Sequence, residues 1–540
     1  MTRVRPALAI VLFACAALAS PSRADDVDRS PPPNLAPATV SLSGVLARHF
    51  AAVGRFAPGG PPTVRERWNV SVGSLSGTET FVKSAGDERE DDALGPSQTA
   101  HGIWNGRAWQ MNANGQVAYG TGLHAEDAVD QAALESPSHR GLTLLGRSAS
   151  PAAFVVEVDP PKGRLEYVFF DEKTSLIDRL ETVRDARRVT ISMDDYRTTQ
   201  GVTRAWHLHT TDGFATNDED DVLQSLVLGG SVSPAEVAVP APKPPLFTVP
   251  ASPTAVPASF DADRIIVKAR MGGHAVDFLF DSGSSGIAVD RDLVEALNVK
   301  EYGKYTSQTA GTYAESDVIL PKITVGPLSM ERVYASSLPF IAFTSAGTPV
   351  AGLLGYDFIA NAVWHVDYVN GTLEVLDPST FAPPAGARAI DVGFDDFVPT
   401  AEATVAGIRA GALIVDTGAD RSTLFSRFAA AHPALTDLGL GTAMQAAWPF
   451  VDDFSGVGGT VDFRPLQAGP FVFADWSFPK WLFYVTQDAP SFEFEDYDGL
   501  VGQDLLRNFD VYLDYPHAKI YFVPNQRFRQ RWGSAPMSVR

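Results

Sequence analysis

From Val40 to about Gly230 apolar residues recur at every second position in short runs. Examples are Trp68-Asn69-Val70-Ser71-Val72, Phe154-Val155-Val156-Glu157-Val158 and Trp206-His207-Leu208-His209, set apart by turn pairs such as Asn105-Gly106 and Asn114-Gly115. Period two is the mark of strands with one buried face. Two stretches depart from it. Val45, Leu46, His49, Phe50 and Val53 form a stripe at helical spacing over Ser43–Val53, and a second helix is predicted near Ala125–Leu134. The expectation for 40–230 is a β-rich domain, a meander with a helix packed on it. Farther on, the runs Val276–Phe280 and Ala412–Val415 are mostly or wholly apolar, as buried strands are.

Proline marks the boundary between these regions. Eight prolines fall between Pro234 and Pro257, so 231–258 is expected to be an extended linker. At the other end, Arg3 and Arg5 precede the apolar run Ala7 to Ala19 and the small-residue site Ser22-Arg23-Ala24. This reads as a signal peptide over 1–24, too short for the roughly 20 residues of a spanning helix. A Pro-rich flexible leader, 25–39, follows it. The mature protein is therefore expected to be exported, periplasmic or secreted, with no transmembrane segment. A rival reading is lipidation at Cys15, because Leu12-Phe13-Ala14-Cys15 is similar to a bacterial lipoprotein box.

Composition narrows the chemistry. The 540 residues carry 43 Lys+Arg against 64 Asp+Glu, a net charge of −21 that repels nucleic-acid phosphates. Cys15 is the one cysteine, which excludes zinc ribbons, disulfide frameworks and thiol nucleophiles. His207 and His209 share one strand face, but no third ligand stands at suitable spacing, so a polar strand face is expected rather than a metal site. Nothing in the sequence implies a metal or organic cofactor. The β-meander with its helix resembles the half-barrel of periplasmic lipoprotein carriers, which implies lipid or envelope contact for this domain.

The remainder is a repeat. Val276–Phe280 leads into Asp281-Ser282-Gly283-Ser284-Ser285, and Ala412–Val415 leads into Asp416-Thr417-Gly418-Ala419-Asp420. A second pair follows. Gly352-Leu353-Leu354-Gly355-Tyr356-Asp357, with Asn361 and Asp367-Tyr368, matches Gly499-Leu500-Val501-Gly502-Gln503-Asp504, with Asn508 and Asp514-Tyr515. The first pair is offset by 135 residues and the second by 147, so the second copy has a longer middle section. Either D-[ST]-G triplet alone would be an ordinary strand-end turn; the repeated context suggests two related lobes, 259–380 and 388–528, with a C-terminal tail at 529–540.

These motifs resemble those of aspartic peptidases, most closely the bacterial retropepsin-like and pepsin-like proteins with two lobes fused in one chain. The resemblance spans 259–528. It implies a mainly β fold of two pseudo-symmetric acid-protease-like barrels beside the N-terminal β-rich half-barrel. Its expected activity is that of an endopeptidase that acts on peptide or protein substrates as a monomer. Two carboxyls at strand ends can be brought within about 3 Å of each other, where they must share a proton. Asp281 and Asp416 are therefore expected to act jointly as acid and base on a water held between them. Gly283 and Gly418 would let the backbones approach, and the resemblance implies that Ser282 and Thr417 brace the carboxyls across the lobes.

The resemblance implies a β-hairpin flap over the cleft, and the glycine-bearing stretches Tyr305–Tyr313 and Ser455–Thr460 stand where it would lie, which makes Gly311, Tyr313 and Gly458 candidates for substrate contact alongside Asp420. Gly502 is followed by Gln503, where the retroviral type has an arginine that holds the residue matching Asp420. Asp420 is left to pair with Arg421 or Arg507, or to raise the affinity of the two catalytic carboxyls for protons. The aromatics Trp448, Phe450, Phe454, Trp476, Phe478, Trp481 and Phe483 either wall a subsite or fill the second lobe's core. The alternative from another class is a catalytically silent pseudo-peptidase serving as an exported peptide- or lipid-binding module. In a third reading, residues 25–250 are a pro-segment.

Overall fold

Alternation in the N-terminal region becomes one sheet of thirteen strands, ordered from Val117–Tyr119 at one edge to Leu142–Ala149 at the other. The computed structural model describes residues 30–54, 63–120, 122–184, 187–308, 311–340, 347–437, 452–456, 459–487 and 497–533. The signal-peptide reading over 1–24 lies outside the described residues. Described residues up to Lys243, with Tyr302–Thr306, form one compact unit; Pro244–Glu301 and the chain from Ser307 onward form a second.

In the first unit, Thr63–Val72 pairs with Leu75–Ser84 on one side and Glu219–Leu228 on the other, so early and late strands meet in mid-sheet. The buried set Trp68, Val70, Val72, Phe170 and Ile191 faces a helix at Leu42–Val53, whose Val45 and Leu46 enter the same core. Ser41 starts that helix by accepting a hydrogen bond from the Gly44 N–H at 3.2 Å. The second helix spans Gly122–Glu135. His207 and His209 both approach Asp220 Oδ1, at 3.1 and 3.0 Å, on a part-exposed strand face.

The second unit is mainly β and internally duplicated. Each lobe has a sheet of ten strands, and the two strand orders correspond one to one. In the first, His274–Phe280 runs parallel to Gly352–Leu354, with Leu279 opposite Leu353 and Phe280 opposite Leu354. In the second, Ile408–Val415 runs parallel to Gly499–Val501, with Ile414 opposite Leu500 and Val415 opposite Val501. The register is the same in both copies. Close approach explains the second glycine of each G-L-[LV]-G: a Cβ on Gly355 would lie 2.4 Å from the carbonyl oxygens of Ser284 and Gly286, and one on Gly502 would lie 2.8 Å from that of Ala419. Short helices at Tyr356–Ile359 and Gln503–Leu506 follow, with Phe358, Ile359, Leu505 and Leu506 buried. Asn361 and Asn508 close them by donating from Nδ2 to the carbonyls of Phe358 and Leu505.

A six-stranded sheet joins the lobes. Each gives three strands, and the central pair, Val363–Asp367 and Phe509–Asp514, is antiparallel with Val366 opposite Val511. His365 lies on this sheet, stacked on Tyr512 at 4.3 Å.

Two expectations need correction. Residues 231–258 are not simply a linker. Pro234–Val237 is a capped helical turn, and Thr254–Val256 is an edge strand of the six-stranded sheet, paired with Thr372–Leu376. Between them Phe247 is buried, its ring 5.3 Å from Phe358 and 6.3 Å from Trp364. Prolines hold this segment extended, but its apolar residues anchor it. Nor does a tail begin at 529. The helix Gln526–Trp532, capped by Asn525, carries Trp532 onto Phe478 and Trp481, with ring centroids 5.0 and 6.0 Å away. Trp476, Phe478, Trp481 and Phe483 are core of the second lobe, clustered with Phe471 and Phe473. Trp448 and Phe450 lie outside the described residues, as does the side chain of Phe454. No helix among the described residues is long and apolar enough to cross a membrane.

Candidate active site

Asp281 and Asp416 stand at the ends of the two parallel-paired strands, where the ladders fix their backbones. Asp281 N–H donates to Leu354 O at 3.1 Å, and Asp416 N–H donates to Val501 O at 3.0 Å. Both residues are 0% exposed. The turns that follow interlock. Ser282 Oγ accepts from Thr417 N–H at 2.8 Å and donates to Val415 O at 2.6 Å. Thr417 Oγ1 accepts from Ser282 N–H at 2.9 Å and donates to Phe280 O at 2.9 Å. Four buried hydrogen bonds therefore pin one lobe's turn to the other's, and each hydroxyl acts as donor and acceptor at once.

The glycines decide how near the carboxyls come. A Cβ on Gly283 would lie 2.5 Å from Asp416 Cγ, and one on Gly418 would lie 2.5 Å from Asp281 Cγ. Neither position has room for a side chain. Asp281 Oδ1 accepts from Gly283 N–H at 2.9 Å, and Asp416 Oδ1 accepts from Gly418 and Ala419 N–H at 2.7 and 3.1 Å. The remaining Oδ2 of each is buried without a protein partner of hydrogen-bond geometry. Burial, chiefly, holds both carboxyls above the ordinary carboxylate range; for Asp281 the neighbouring Asp416 charge adds to it. The arrangement can keep one proton on the pair and present two oxygens, one basic and one acidic, to a reacting group.

The lower-lying acids of the repeat also match. Asp357 Oδ2 accepts from Ile287 N–H at 3.2 Å, and Asp504 Oδ1 accepts from Ser422 N–H at 2.8 Å and Ser422 Oγ at 2.7 Å. Each ties the chain leaving an Asp-[Ser/Thr]-Gly turn to the short helix below it. The sequence shows these residues only as repeated letters, and their role needs the contact geometry.

The outlying candidates fare differently. Asp420 is close enough for its charge to raise Asp416 further. Arg507, one of its expected partners, is engaged elsewhere, with its Nη1 2.9 Å from Asp263, while Arg421 lies over the Tyr484 ring at 4.5 Å. Hairpins stand at both expected flap positions, Glu301–Gln308 with Thr312–Leu320 and Asp452–Gly456 with Gly459–Ala468. Gly311 is buried just after the first tip. Tyr313 is buried in a cluster with Leu279, Leu338, Phe340 and Leu353, a core position rather than an open one. Gly458 lies outside the described residues. Groups of acids and histidine close enough to hold a cation occur among the described residues of the first unit, at Glu90, Asp92 and His101 and at Asp127, Asp130 and Glu166. Protein groups already engage them: His101 Nε2 lies 3.6 Å from Glu90, and the Arg164 N–H donates to Asp130.

Residues 267–358, the segment holding the first triplet and the first G-L-L-G, match the family described as aspartyl protease. No curated protein matches the chain. Among solved structures, an aspartic proteinase from Irpex lacteus is 16% identical, covering 51% of this chain and 98% of its own, with a TM-score of 0.30. A putative outer membrane lipoprotein-sorting protein domain from Vibrio parahaemolyticus is 11% identical, covering 35% of this chain and 92% of its own, with a TM-score of 0.26.

Proposed function

We propose that the second unit is an aspartic endopeptidase. The observation that carries this reading is the hydroxyl exchange between Ser282 and Thr417, which fixes two buried carboxyls from different lobes against each other. In the proposed reaction the ionised member of the pair takes a proton from a water lying between Asp281 and Asp416, and the resulting hydroxide adds to the scissile carbonyl carbon. The protonated member donates to the carbonyl oxygen. Collapse of the tetrahedral gem-diol returns one hydroxyl proton to the carboxylate that had donated and expels the amine, which takes up the proton first removed from water, so the pair again holds one proton. The pair works only while it holds one proton, so the elevated proton affinity of both carboxyls extends activity upward in pH.

The substrate is a peptide or protein, and one chain supplies both carboxyls, so the monomer is the working form. The arginine-flanked apolar run at the N-terminus supports export to the periplasm or beyond, where the β-sheet unit would meet envelope lipid or protein. The test is cleavage of an unbiased peptide library between about pH 3 and pH 8. Wild type should give a bell-shaped profile whose alkaline limb lies above the ordinary carboxylate range. Asp281→Asn and Asp416→Asn should each lose at least about a thousandfold in kcat/KM. Equal cleavage by all three proteins would sink the mechanism, and no cleavage by any would favour the silent binding module.

A further inference from the structure

The hairpin at the first flap position has one strand set into the lobe and one lying outside it. The inner strand, Thr312–Leu320, buries Tyr313, Glu315, Asp317, Val318 and Leu320. Tyr313 clusters there with Leu279 and Leu353, which face each other on the parallel pair that ends in Asp281. The outer strand, Glu301–Gln308, has no buried residue. Carboxyls and serines join the two. Ser307, next to last in the outer strand and so near the turn, donates its hydroxyl to Glu315 Oε2 at 2.7 Å. Glu315 is 3% exposed. At the far end of the outer strand, Glu301 Oε1 accepts from Ser316 Oγ and, at 3.2 Å, from Ser337 Oγ. One clamp thus reaches inward from the outer strand and the other outward from the inner strand. Glu301 is part-exposed with Arg291 Nε 4.0 Å away, whereas Glu315 takes any charge it carries into the interior.

We propose that Glu315 is a positioning residue for the flap: its buried carboxyl latches the outer strand of the hairpin near the turn and so sets how the hairpin lies over bound substrate. The latch is sensitive to charge. Burial, first among the causes, raises Glu315 to about 7, and Asp317 on the same strand adds to this; the hydroxyls of Ser336 and Ser307 and the guanidinium of Arg291 act the other way. The remaining charged groups of the neighbouring elements are Glu301 and Lys304 on the outer strand, and Asp290, Asp292 and Glu295 at or in the helix Arg291–Ala296. The third strand, Val333–Leu338, has none. A carboxyl that holds its proton more tightly when folded contributes fully below its unfolded value of 4.5, and that contribution is lost as pH rises through about 7. The hairpin should then loosen, and a loosened flap captures substrate less well while leaving the chemistry of the bound complex in place.

This inference rests on the peptidase reading for its kinetic arm only, because amide hydrogen exchange in the full chain tests the latch without substrate. Exchange over residues 301–320, corrected for the intrinsic rate at each pH, should quicken about fivefold in wild type between about pH 6 and about pH 8. Glu315→Gln is neutral throughout and still offers Ser307 an acceptor, so its rate should stay within about twofold over that range. Glu315→Leu offers none and should exchange fast at both ends. In peptide cleavage, wild-type KM should rise at least about threefold over the same range, whereas in Glu315→Gln that rise is absent and kcat lies within about twofold of wild type. A merely structural role would give neither the division by pH nor rescue by the amide. Exchange in wild type that ignores pH, a pH dependence of exchange or KM that persists in Glu315→Gln, or a Glu315→Leu hairpin as protected as wild type at about pH 6 would each overturn the proposal. Should Glu315→Leu fail to fold, wild type against Glu315→Gln decides. Should wild type cleave nothing, the peptidase reading fails by itself, and the exchange arm decides alone.

Discussion

At the scale of single residues, the site depends on what is missing as much as on what is present. Gly283 and Gly418 each face the opposite carboxyl at a distance where a methyl group would collide with it. Gly418→Ala should therefore push Asp281 off its position and lower kcat/KM at least about a hundredfold, while circular dichroism stays native. Retention of full activity would mean that the carboxyls do not meet as described. The sequence shows both glycines and both acids plainly, because D-[ST]-G occurs twice behind an apolar strand. It shows Gln503 only as a departure from pattern. Its amide Nε2 donates to Thr417 O at 2.6 Å, 86 residues away in sequence, and no local rule carries such a contact.

At the scale of elements, the equal register of the two parallel pairs places Asp281 and Asp416, and the acids below them, Asp357 and Asp504, hold that register. Asp504 receives the Ser422 N–H and hydroxyl and also the Leu505 N–H at 3.0 Å, all part-buried. Asp504→Ala strands these donors and is expected to cost about 2–4 kcal/mol in urea unfolding. A cost under about 0.5 kcal/mol would show that solvent or a shift of the helix replaces the carboxylate. Strands and both early helices were legible from periodicity, with ends within a few residues. The segment 231–258 was not, because proline predicts extended backbone equally for a tether and for an edge strand. The deciding fact, Phe247 packing on Phe358 and Trp364, is a contact made more than 100 residues away in sequence. The C-terminal helix escaped for a related reason: seven residues are too few for a clear helical period, and burial of Phe528 with packing of the half-buried Trp532 completes it.

For the whole molecule, buried acids set the response to pH. Burial, first among the causes in each case, pushes Asp504 up to about 6, Glu315 to about 7 and Asp130 to about 8. Groups that hold protons more tightly folded than unfolded contribute fully below their unfolded values, near 4, and that contribution is lost as pH rises through the folded ones. A net charge of −21 at pH 7 works in the same direction through self-repulsion. The melting temperature should accordingly fall from about pH 5 to about pH 8. Glu315→Gln, which keeps an acceptor for the Ser307 hydroxyl at 2.7 Å, should flatten the part of that fall below about pH 7. A curve that rises over this range would contradict the burial of these acids. The six-stranded sheet has a different consequence. Its centre pairs a strand with that strand's own counterpart, an arrangement that two identical subunits could also build. Covalent fusion makes the union independent of dilution, and it frees the halves from obligatory sameness. Only a polypeptide containing both can keep tyrosine at one of two symmetry-related places and glutamine at the other.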